Sequence, residues 1–467
     1  MIDLRKMQGR RFAVMGLGLS GMVAVEALVA SAVDVVGWDD APEQCKNATA
    51  RGIPVAPLID QDWSSFDSLI LSPGIPHTFP APNPVVQAAR DAGVEIVGDV
   101  ELLVRAQPEA RYIGITGTNG KSTTTALVAH ILSESGARVA VGGNLGQPAL
   151  SLEAFDGEGI YVLEMSSYQL ELTPSVAFEI AVLLNLSPDH LDRHGGMNGY
   201  IGAKYRIFEQ QDSNGIAVIG VDDSDCCGLF DKLTAERSGK VVPISFADAM
   251  DGGVYASGTN LIDATGDTPR QVCSLDGINT LLGAHNAQNA AAAYYVCRSV
   301  GVPCENIAAW MATYPGSPHR QQLAAVIDGV RYVNDSKATN PEAAAKALSS
   351  YDEIYWIAGG RAKGGTLDAI HPFLHHVQRA YLIGEAADHL AAQLVDHIEV
   401  ELCGDLERAT TRAAEDAAGC EAVVLLSPAC ASFDQFANFE ERGRAFCRIA
   451  AAQPGIRRDV RHDGKAP

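Results

Sequence analysis

The chain has 467 residues, 47% hydrophobic and 20% charged, an ordinary globular composition that excludes a disordered or fibrous protein. At one domain per ~150 residues, this length predicts about three domains. The formal charge of −22 leaves no basic stripe for nucleic acid or an anionic membrane surface. Any anionic ligand must then be held by a few local lysines and helix N-termini.

Residues 11–15 read as a short apolar strand, and Gly16-Leu17-Gly18-Leu19-Ser20-Gly21 as a tight turn. A helix over 22–30 and a strand over 33–38 follow, ending on Asp39-Asp40. This is a G-x-G-x-x-G arrangement, whose glycines allow a tight turn and a close approach of backbone to phosphate at a helix N-terminus. The acid pair would accept from a ribose or base. Arg10-Arg11 and Ala30-Ser31-Ala32 mimic an export signal, but Glu26 interrupts the apolar run and the glycine turn explains it better, so export is not expected. No other stretch approaches ~20 uninterrupted apolar residues, so no membrane insertion is expected. A strand at 68–71 leads into Ser72-Pro73-Gly74-Ile75-Pro76, and the first domain is drawn as 1–98.

A new βα unit opens at 112–115, with strands at 160–164, 181–185 and 216–219 and an alanine-rich helix over 286–299. Tyr314-Pro315-Gly316-Ser317-Pro318 is a hinge signal that closes a second domain, 99–316. Strands at 330–334, 354–358, 380–383 and 422–426 belong to a third, 317–467, whose last residues, 457–467, read as a frayed tail. Repeated βα alternation predicts an α/β protein of three domains, each with a largely parallel sheet flanked by helices. The first and third read as Rossmann-like and the central one as P-loop ATPase-like. The ten cysteines include no C-x-x-C and no zinc-finger pairing with histidine, and read as small buried hydrophobes in a reducing compartment.

The strongest chemistry lies at Thr116-Gly117-Thr118-Asn119-Gly120-Lys121-Ser122-Thr123, between a strand and a helical run over 124–133. Backbone N–H groups of such a loop surround phosphate oxygens, Lys121 neutralises β/γ charge, and the Ser122 hydroxyl can ligate Mg²⁺. Ile115 stands where the full P-loop spacing has its first glycine, but the G-K-S-T end and its context remain, and ATP binding follows. Glu164 and Asp189-His190 follow two further predicted strands, and in open α/β sheets such strand ends share one crevice. His190 and His194, at i and i+4, invite a zinc reading, yet the intervening Leu191-Asp192-Arg193 lacks the glutamate of H-E-x-x-H. Lys204 by itself reads as a solvated helix lysine.

These motifs, with Gly143-Asn144-Leu145-Gly146, Glu164-Met165-Ser166-Ser167-Tyr168-Gln169-Leu170, Ala203-Lys204 and Gly283-Ala284-His285-Asn286, resemble those of the Mur ligases, ATP-dependent amide ligases of peptidoglycan synthesis. The resemblance spans essentially the whole chain. Pro318-His319-Arg320, residues 334–341 and residues 426–436 are similar to the third-domain motifs of members that join D-glutamate to UDP-N-acetylmuramoyl-L-alanine. The resemblance implies a cytoplasmic enzyme that works through an acyl phosphate, with no obligate protein partner. ATP would be bound by Gly117, Thr118, Asn119, Gly120, Lys121, Ser122, Thr123, Asn286, Arg320 and Asp335. Two Mg²⁺ ions are implied, one on Ser122 and Glu164, the other on His190 and a carbamylated Lys204; Lys121, His190, Lys204 and Lys337 would serve catalysis.

Substrate contacts are implied at Leu19, Ser20, Asp39 and Asp40 for the uridine end and at Asn144, Ser166 and Gln169 in the central domain. Lys337, Thr339, Lys363, Ser432, Phe433 and Phe439 are implied for D-glutamate. An NAD-dependent oxidoreductase would rest on Gly16, Gly18, Gly21 and Asp39 alone and leaves Lys121 and Lys204 unexplained. A folylpolyglutamate synthase-like ligase shares the ATP loop and the lysine, but generally lacks the glycine-turn domain. A non-enzymatic nucleotide-binding regulator would need catalysis lost from an otherwise complete constellation.

Overall fold

The computed structural model describes residues 1–155, 157–316, 318–362 and 366–457. The first apolar runs form four parallel strands, β1 (Arg11–Met15), β2 (Asp34–Trp38), β3 (Ser68–Leu71) and β4 (Glu95–Val97), ordered β2-β1-β3-β4. Packing covers both faces, so β3 is buried along its whole length and reads as an unbroken Leu69-Ile70-Leu71. The strand order reverses between β1 and β3, whose carboxyl ends therefore flank a crevice. The glycine turn leaves β1 there, and residues 72–76 leave β3.

The second sheet comprises β5 (Arg111–Thr116), β6 (Val139–Gly143), β7 (Ile160–Glu164), β8 (Ile180–Leu183), β9 (Ile216–Gly220), β10 (Lys240–Ser245), β11 (Val254–Ser257), β12 (Asn260–Asp263) and β13 (Arg270–Ser274). Their order is β13-β12-β11-β10-β9-β8-β5-β7-β6, with antiparallel pairing only at β11-β12 and β12-β13. That antiparallel extension is absent from the sequence reading, because its strands are short and half exposed. It is pinned by Asp263, which accepts from Tyr294 Oη at 2.7 Å and pairs with Arg298, both on the helix Ala284–Val300. β5 has β7 and β8 as neighbours, so the loops leaving these three strands meet at one switch point.

The third sheet holds β14 (Gln322–Ile327), β15 (Val330–Asn334), β16 (Ile354–Gly359), β17 (Val377–Ile383), β18 (Glu399–Gly404) and β19 (Val423–Leu426). Its order is β14-β15-β19-β16-β17-β18, parallel except for the edge hairpin β14-β15. β19 slots between β15 and β16, bringing their three carboxyl ends together. Trp356 fills the core of this layer, worth about 1.5–3 kcal/mol on the scale of large apolar side chains. Its one polar atom is satisfied, donating to Ser427 O at 2.8 Å. Arg457 pairs with Ile327 rather than fraying, and the rest of the expected tail, 458–467, lies outside the described residues.

The chain forms two compact units, Met1–Ser274 with Ala284–Met311, and Leu275–Gly283 with Ala312–Pro467. The first two sheets share the first unit. All ten cysteines are free; Cys226, Cys297, Cys403 and Cys430 are buried as expected, whereas Cys227 and Cys420 are exposed. No helix among the described residues is long and apolar enough to cross a membrane.

Candidate active site

The chain leaves β5 through Thr116 and enters a loop in which Gly120 has φ +87. A Cβ on Gly120 would lie 2.3 Å from Asn289 Oδ1, so the site takes only glycine on both counts. The helix Lys121–Glu134 starts three residues before the expected 124, because the loop itself supplies its first turn. Lys121 Nζ donates to Gly117 O at 2.8 Å and Thr118 O at 2.9 Å, while Ser122 and Thr123 are buried. Asn185 braces the loop from beyond β8: its carbonyl accepts from Thr118 N at 2.9 Å, and its Oδ1 accepts from Asn119 N at 2.9 Å. Asn289 Nδ2 donates to Asn286 Oδ1 at 3.0 Å, placing the buried Asn286 beside this support.

Glu164 ends β7 in register with Ile115 of β5 and Gly143 of β6. Its Oε1 accepts from Asn144 Nδ2 at 2.7 Å, and its buried Oε2 has no hydrogen-bond partner. A buried carboxylate oxygen without a partner is costly, and a hard cation with an oxygen shell is a partner it fits. No three His, Cys, Asp or Glu side chains among the described residues gather at metal-ligand spacing. A cation here would therefore need donors of other kinds, such as the Ser122 hydroxyl. Ser166 and Gln169 form a capping box at the start of the helix Ser167–Glu171.

The two histidines part company. His190 is exposed, in left-handed backbone at φ +52, with its ring 5.3 Å from that of Tyr168. His194 is buried, and its Nε2 pairs with Ser167 Oγ at 2.9 Å. One histidine is available to a ligand and the other is a core residue, so the i, i+4 pair is not a zinc site.

Lys204 is buried on the helix Met197–Tyr205, overturning its reading as a solvated helix lysine. Nζ donates to Gly117 O at 2.9 Å and Thr116 Oγ1 at 3.3 Å, and lies 4.8 Å above the Tyr200 ring. Desolvation, reinforced by the charge of Lys121, holds its pKa well below the ordinary lysine range. A lowered pKa favours the neutral amine, the form that adds CO₂, and a carbamate there would turn a cation into an anionic oxygen ligand.

In the first sheet, Gly21 packs so tightly that a Cβ would meet Gly16 O at 1.7 Å. Asp39 ties the turn to the end of β2, Oδ2 accepting from Leu17 N at 2.6 Å and Oδ1 from Ala41 N, two residues on, at 2.8 Å. These bonds brace the crevice and use one lone pair of each oxygen. Asp40 is exposed and accepts from Asn83 Nδ2 at 3.1 Å; Leu19, 70% exposed, and the half-buried Ser20 begin the helix Leu19–Ala30.

In the third sheet, Asn340 caps the helix Pro341–Leu348 by accepting from Ala343 N at 2.8 Å, with proline first, as expected. Lys337 and Thr339 precede that N-terminus, and Lys337 Nζ lies 5.7 Å from the Phe439 ring centroid. Ser432 is buried and Phe433 exposed on the loop after β19. Asp335 accepts from Ser427 Oγ at 2.7 Å and from Gln321 N at 3.2 Å, and burial raises its pKa to about 6. Nearby, Arg320 Nε is buried without a hydrogen-bond partner. Lys363 lies outside the described residues.

The Mur ligase middle domain matches residues 115–297, and the Mur ligase glutamate ligase domain matches residues 319–430. The UDP-N-acetylmuramoylalanine–D-glutamate ligase of Rhodospirillum rubrum is 49% identical over 474 residues, covering 98% of this chain and 99% of that one. The chain belongs to the Mur ligase family. The ligase of the same name from Agrobacterium fabrum is 47% identical, with 100% of each chain covered. The fold is similar to that of the UDP-N-acetylmuramate-alanine ligase of Thermotoga maritima, with a TM-score of 0.57, 17% identity and coverage of 95% of this chain and 100% of that one.

Sequence reading missed the residues that hold this Mur ligase's loops in place. Asn185 Nδ2 donates to Gln288 Oε1 at 3.1 Å, and Gln288 Nε2 donates to Asp222 Oδ2 at 2.7 Å, so a chain of amides supports the phosphate loop. In the third sheet the buried Arg442 donates to Ser336 O at 2.9 Å and Cys430 O at 3.1 Å, tying together the loops after β15 and β19. Burial lowers its pKa to about 10. The only signal for Arg442 was its place in an amphipathic helix, Phe439–Ala452, on the face that turns inward.

Proposed function

We propose that the chain catalyses the ATP-dependent joining of D-glutamate to UDP-N-acetylmuramoyl-L-alanine in peptidoglycan precursor synthesis. The observation that carries this reading is the match, along nearly the whole chain, to relatives of that name at 47–49% identity. The lysine, hydroxyl and carboxylate around the loop after β5 support it. In this reading the chain divides into a UDP-binding domain, 1–98, an ATP-binding domain, 99–316, and a D-glutamate-binding domain, 317–467, and acts in the cytoplasm.

A carboxylate is a poor electrophile because it has no good leaving group. In the proposed reaction an oxygen of the alanine carboxylate forms a bond to the γ-phosphorus of ATP, and the bond to ADP breaks. The D-glutamate nitrogen then bonds to the acyl carbon, phosphate leaves, and the nitrogen loses its extra protons. Backbone amides of residues 117–121 hold the phosphates, and Lys121 offsets charge on the transferring group. Ser122, Glu164, His190 and a carbamylated Lys204 would hold two Mg²⁺ ions, which supply Lewis-acid stabilisation of phosphoryl oxygens. Asn286, Arg320 and Asp335 complete the ATP site. Leu19, Ser20, Asp39 and Asp40 meet the uridine end, and Asn144, Ser166 and Gln169 meet the acyl end. Lys337, Thr339, Lys363, Ser432, Phe433 and Phe439 receive D-glutamate, two lysines suiting a dicarboxylate.

The test is phosphate release from ATP by purified protein with Mg²⁺, UDP-N-acetylmuramoyl-L-alanine and either enantiomer of glutamate. Release with the D-isomer alone is expected. Release with neither would reject the reading.

A further inference from the structure

Where loops of the first sheet meet the second, a buried cluster takes no part in the reaction described above. Glu171 ends the helix Ser167–Glu171 with its side chain 17% exposed. Its Oε2 lies 3.6 Å from Nε2 of His77, on the segment after β3, and its Oε1 lies 3.6 Å from Nδ1 of His194. Both separations are within ion-pair range and just outside hydrogen-bonding range. Glu171 Oε2 and His194 Nδ1 are buried and lack any hydrogen-bond partner. A displacement of about half an ångström would complete either contact.

His194 is the hub of what lies beyond. Its ring stacks on Tyr168 at 5.3 Å and tilts against Tyr200 at 5.5 Å. Tyr168 in turn packs against His190 at 5.3 Å. Tyr200 Oη lies 3.0 Å from Thr118 Oγ1 in the phosphate loop, and its ring underlies Lys204 Nζ. Arg193 adds a second strap, donating from Nη1 to Gly74 O at 2.8 Å while its guanidinium covers Tyr168 at 4.7 Å. One carboxylate thus touches the segment after β3 and the imidazole that seats the neighbours of His190, Lys204 and Thr118.

We propose that Glu171 is a positioning residue for the ligase reaction: held between His77 and His194, it orients the His194 ring and, through it, the Tyr168–His190 and Tyr200–Lys204 pairs. This inference rests on the function proposed above. A carboxylate that hydrogen-bonds an imidazole fixes its tautomer and ring angle; removing such a partner from a metal-bound histidine typically costs about 10–100-fold in metal affinity or activity, and Glu171 acts one ring further out.

The test compares full-length wild type with Glu171→Gln, Glu171→Ala, His77→Gln and the double variant E171Q/H77Q. Melting temperature, the Kd of UDP-N-acetylmuramoyl-L-alanine without ATP or Mg²⁺, kcat, and the Mg²⁺ concentration for half-activation are measured. Glu171→Gln is expected to melt close to wild type, bind the UDP substrate within about twofold, lose about tenfold in kcat and need severalfold more Mg²⁺. E171Q/H77Q is expected to be no worse than E171Q, since both act through one carboxylate. Unchanged kcat and Mg²⁺ requirement in E171Q would overturn the proposal. So would a kcat loss that only tracks lost folded protein, or a weaker Kd with kcat intact. Should the alanine variant not fold, the isosteric glutamine variant decides. Wild-type protein without D-glutamate-dependent turnover removes the functional reading and this inference together, whereas wild-type turnover with indifferent Glu171 variants removes this inference alone.

Discussion

Two glycine turns in this molecule share a backbone plan and differ in equipment. The turn at 16–21 and the loop at 116–121 each carry the chain from a parallel strand into a helix N-terminus through left-handed glycines, Gly16 at φ +91 and Gly120 at φ +87. The first is braced nearby in sequence by the Asp39 carboxylate and presents mostly backbone and the exposed Leu19. The second is braced from afar by Asn185 and Asn289, and the same switch point gathers Lys121, Ser122, Glu164 and the buried Lys204. A glycine turn can cradle a phosphate with backbone alone. Stabilising a phosphoryl group in transit needs charges held dry and in place, and only the second turn has them.

The contrast breaks most sharply at Lys204. Lys204→Ala is expected to lower kcat by ~10³-fold or more, on the scale of a lost transition-state electrostatic contact, with partial rescue by small carboxylic acids in the phosphate-release assay. An alanine variant of full activity would end the carbamate assignment. The same burial makes a pH statement. The folded pKa lies below the ordinary 10.5, so between the two the unfolded chain binds the extra proton and CO₂-free protein gains stability as pH rises. Melting temperatures of Lys204→Met across that range should lose this slope.

Glu164→Gln comes next. Removing one charge from the carboxylate with the orphaned oxygen should cost ~10²-fold in kcat and raise the Mg²⁺ requirement, while leaving binding of the UDP substrate alone. Metal titrations of turnover read the first effect and calorimetry the second.

At the other turn the effect should fall on binding. Asp39→Ala strips the acceptor from Leu17 N and Ala41 N, which should cost about 1.5–3 kcal/mol in stability on the scale of bonds to charged groups. It should raise KM for the UDP substrate by about tenfold, the size of a 1.4 kcal/mol loss, with kcat nearly unchanged. A matching fall in kcat would show that the first turn serves chemistry as well.

The smallest expected change lies outside both turns, at a third buried charge. The pKa of Asp335 is about 6 in the folded chain against an ordinary 3.8, so the folded state holds the extra proton in that window and loses stability as pH rises through it. Asp335→Asn should therefore be more stable than wild type above pH ~6, by about 1–3 kcal/mol, and melt correspondingly higher, with the difference gone below pH ~4. Equal melting curves at pH 8 would place the cost of buried charge in the central sheet alone.

Much of this was legible locally. The strands at 11–15, 68–71, 160–164 and 330–334 coincide with the observed elements, since mostly buried strands keep a mostly apolar run even where a residue such as Arg331 interrupts it. The short strands β11 to β13 escaped because half-exposed residues there carry no such run. Asp39 was visible as a candidate, but its bond to the turn amide Leu17 N becomes evident only when the turn is closed. Lys204 and Arg442 were illegible for one reason: a cation's burial depends on what packs over it, and lysine and arginine are mostly exposed.

The amino-acid sequence by itself determined the α/β alternation, the phosphate loop with Lys121, and the proline-led helix at 341, because backbone preferences and turn chemistry act over a few residues. Tertiary structure alone decided which lysine is buried with a lowered pKa and which histidine is exposed. Lys204 reaches the Gly117 carbonyl across 87 residues of chain, and His194 is buried through partners brought from distant segments. Desolvation is a property of the assembled surroundings, and no local pattern of residues encodes it.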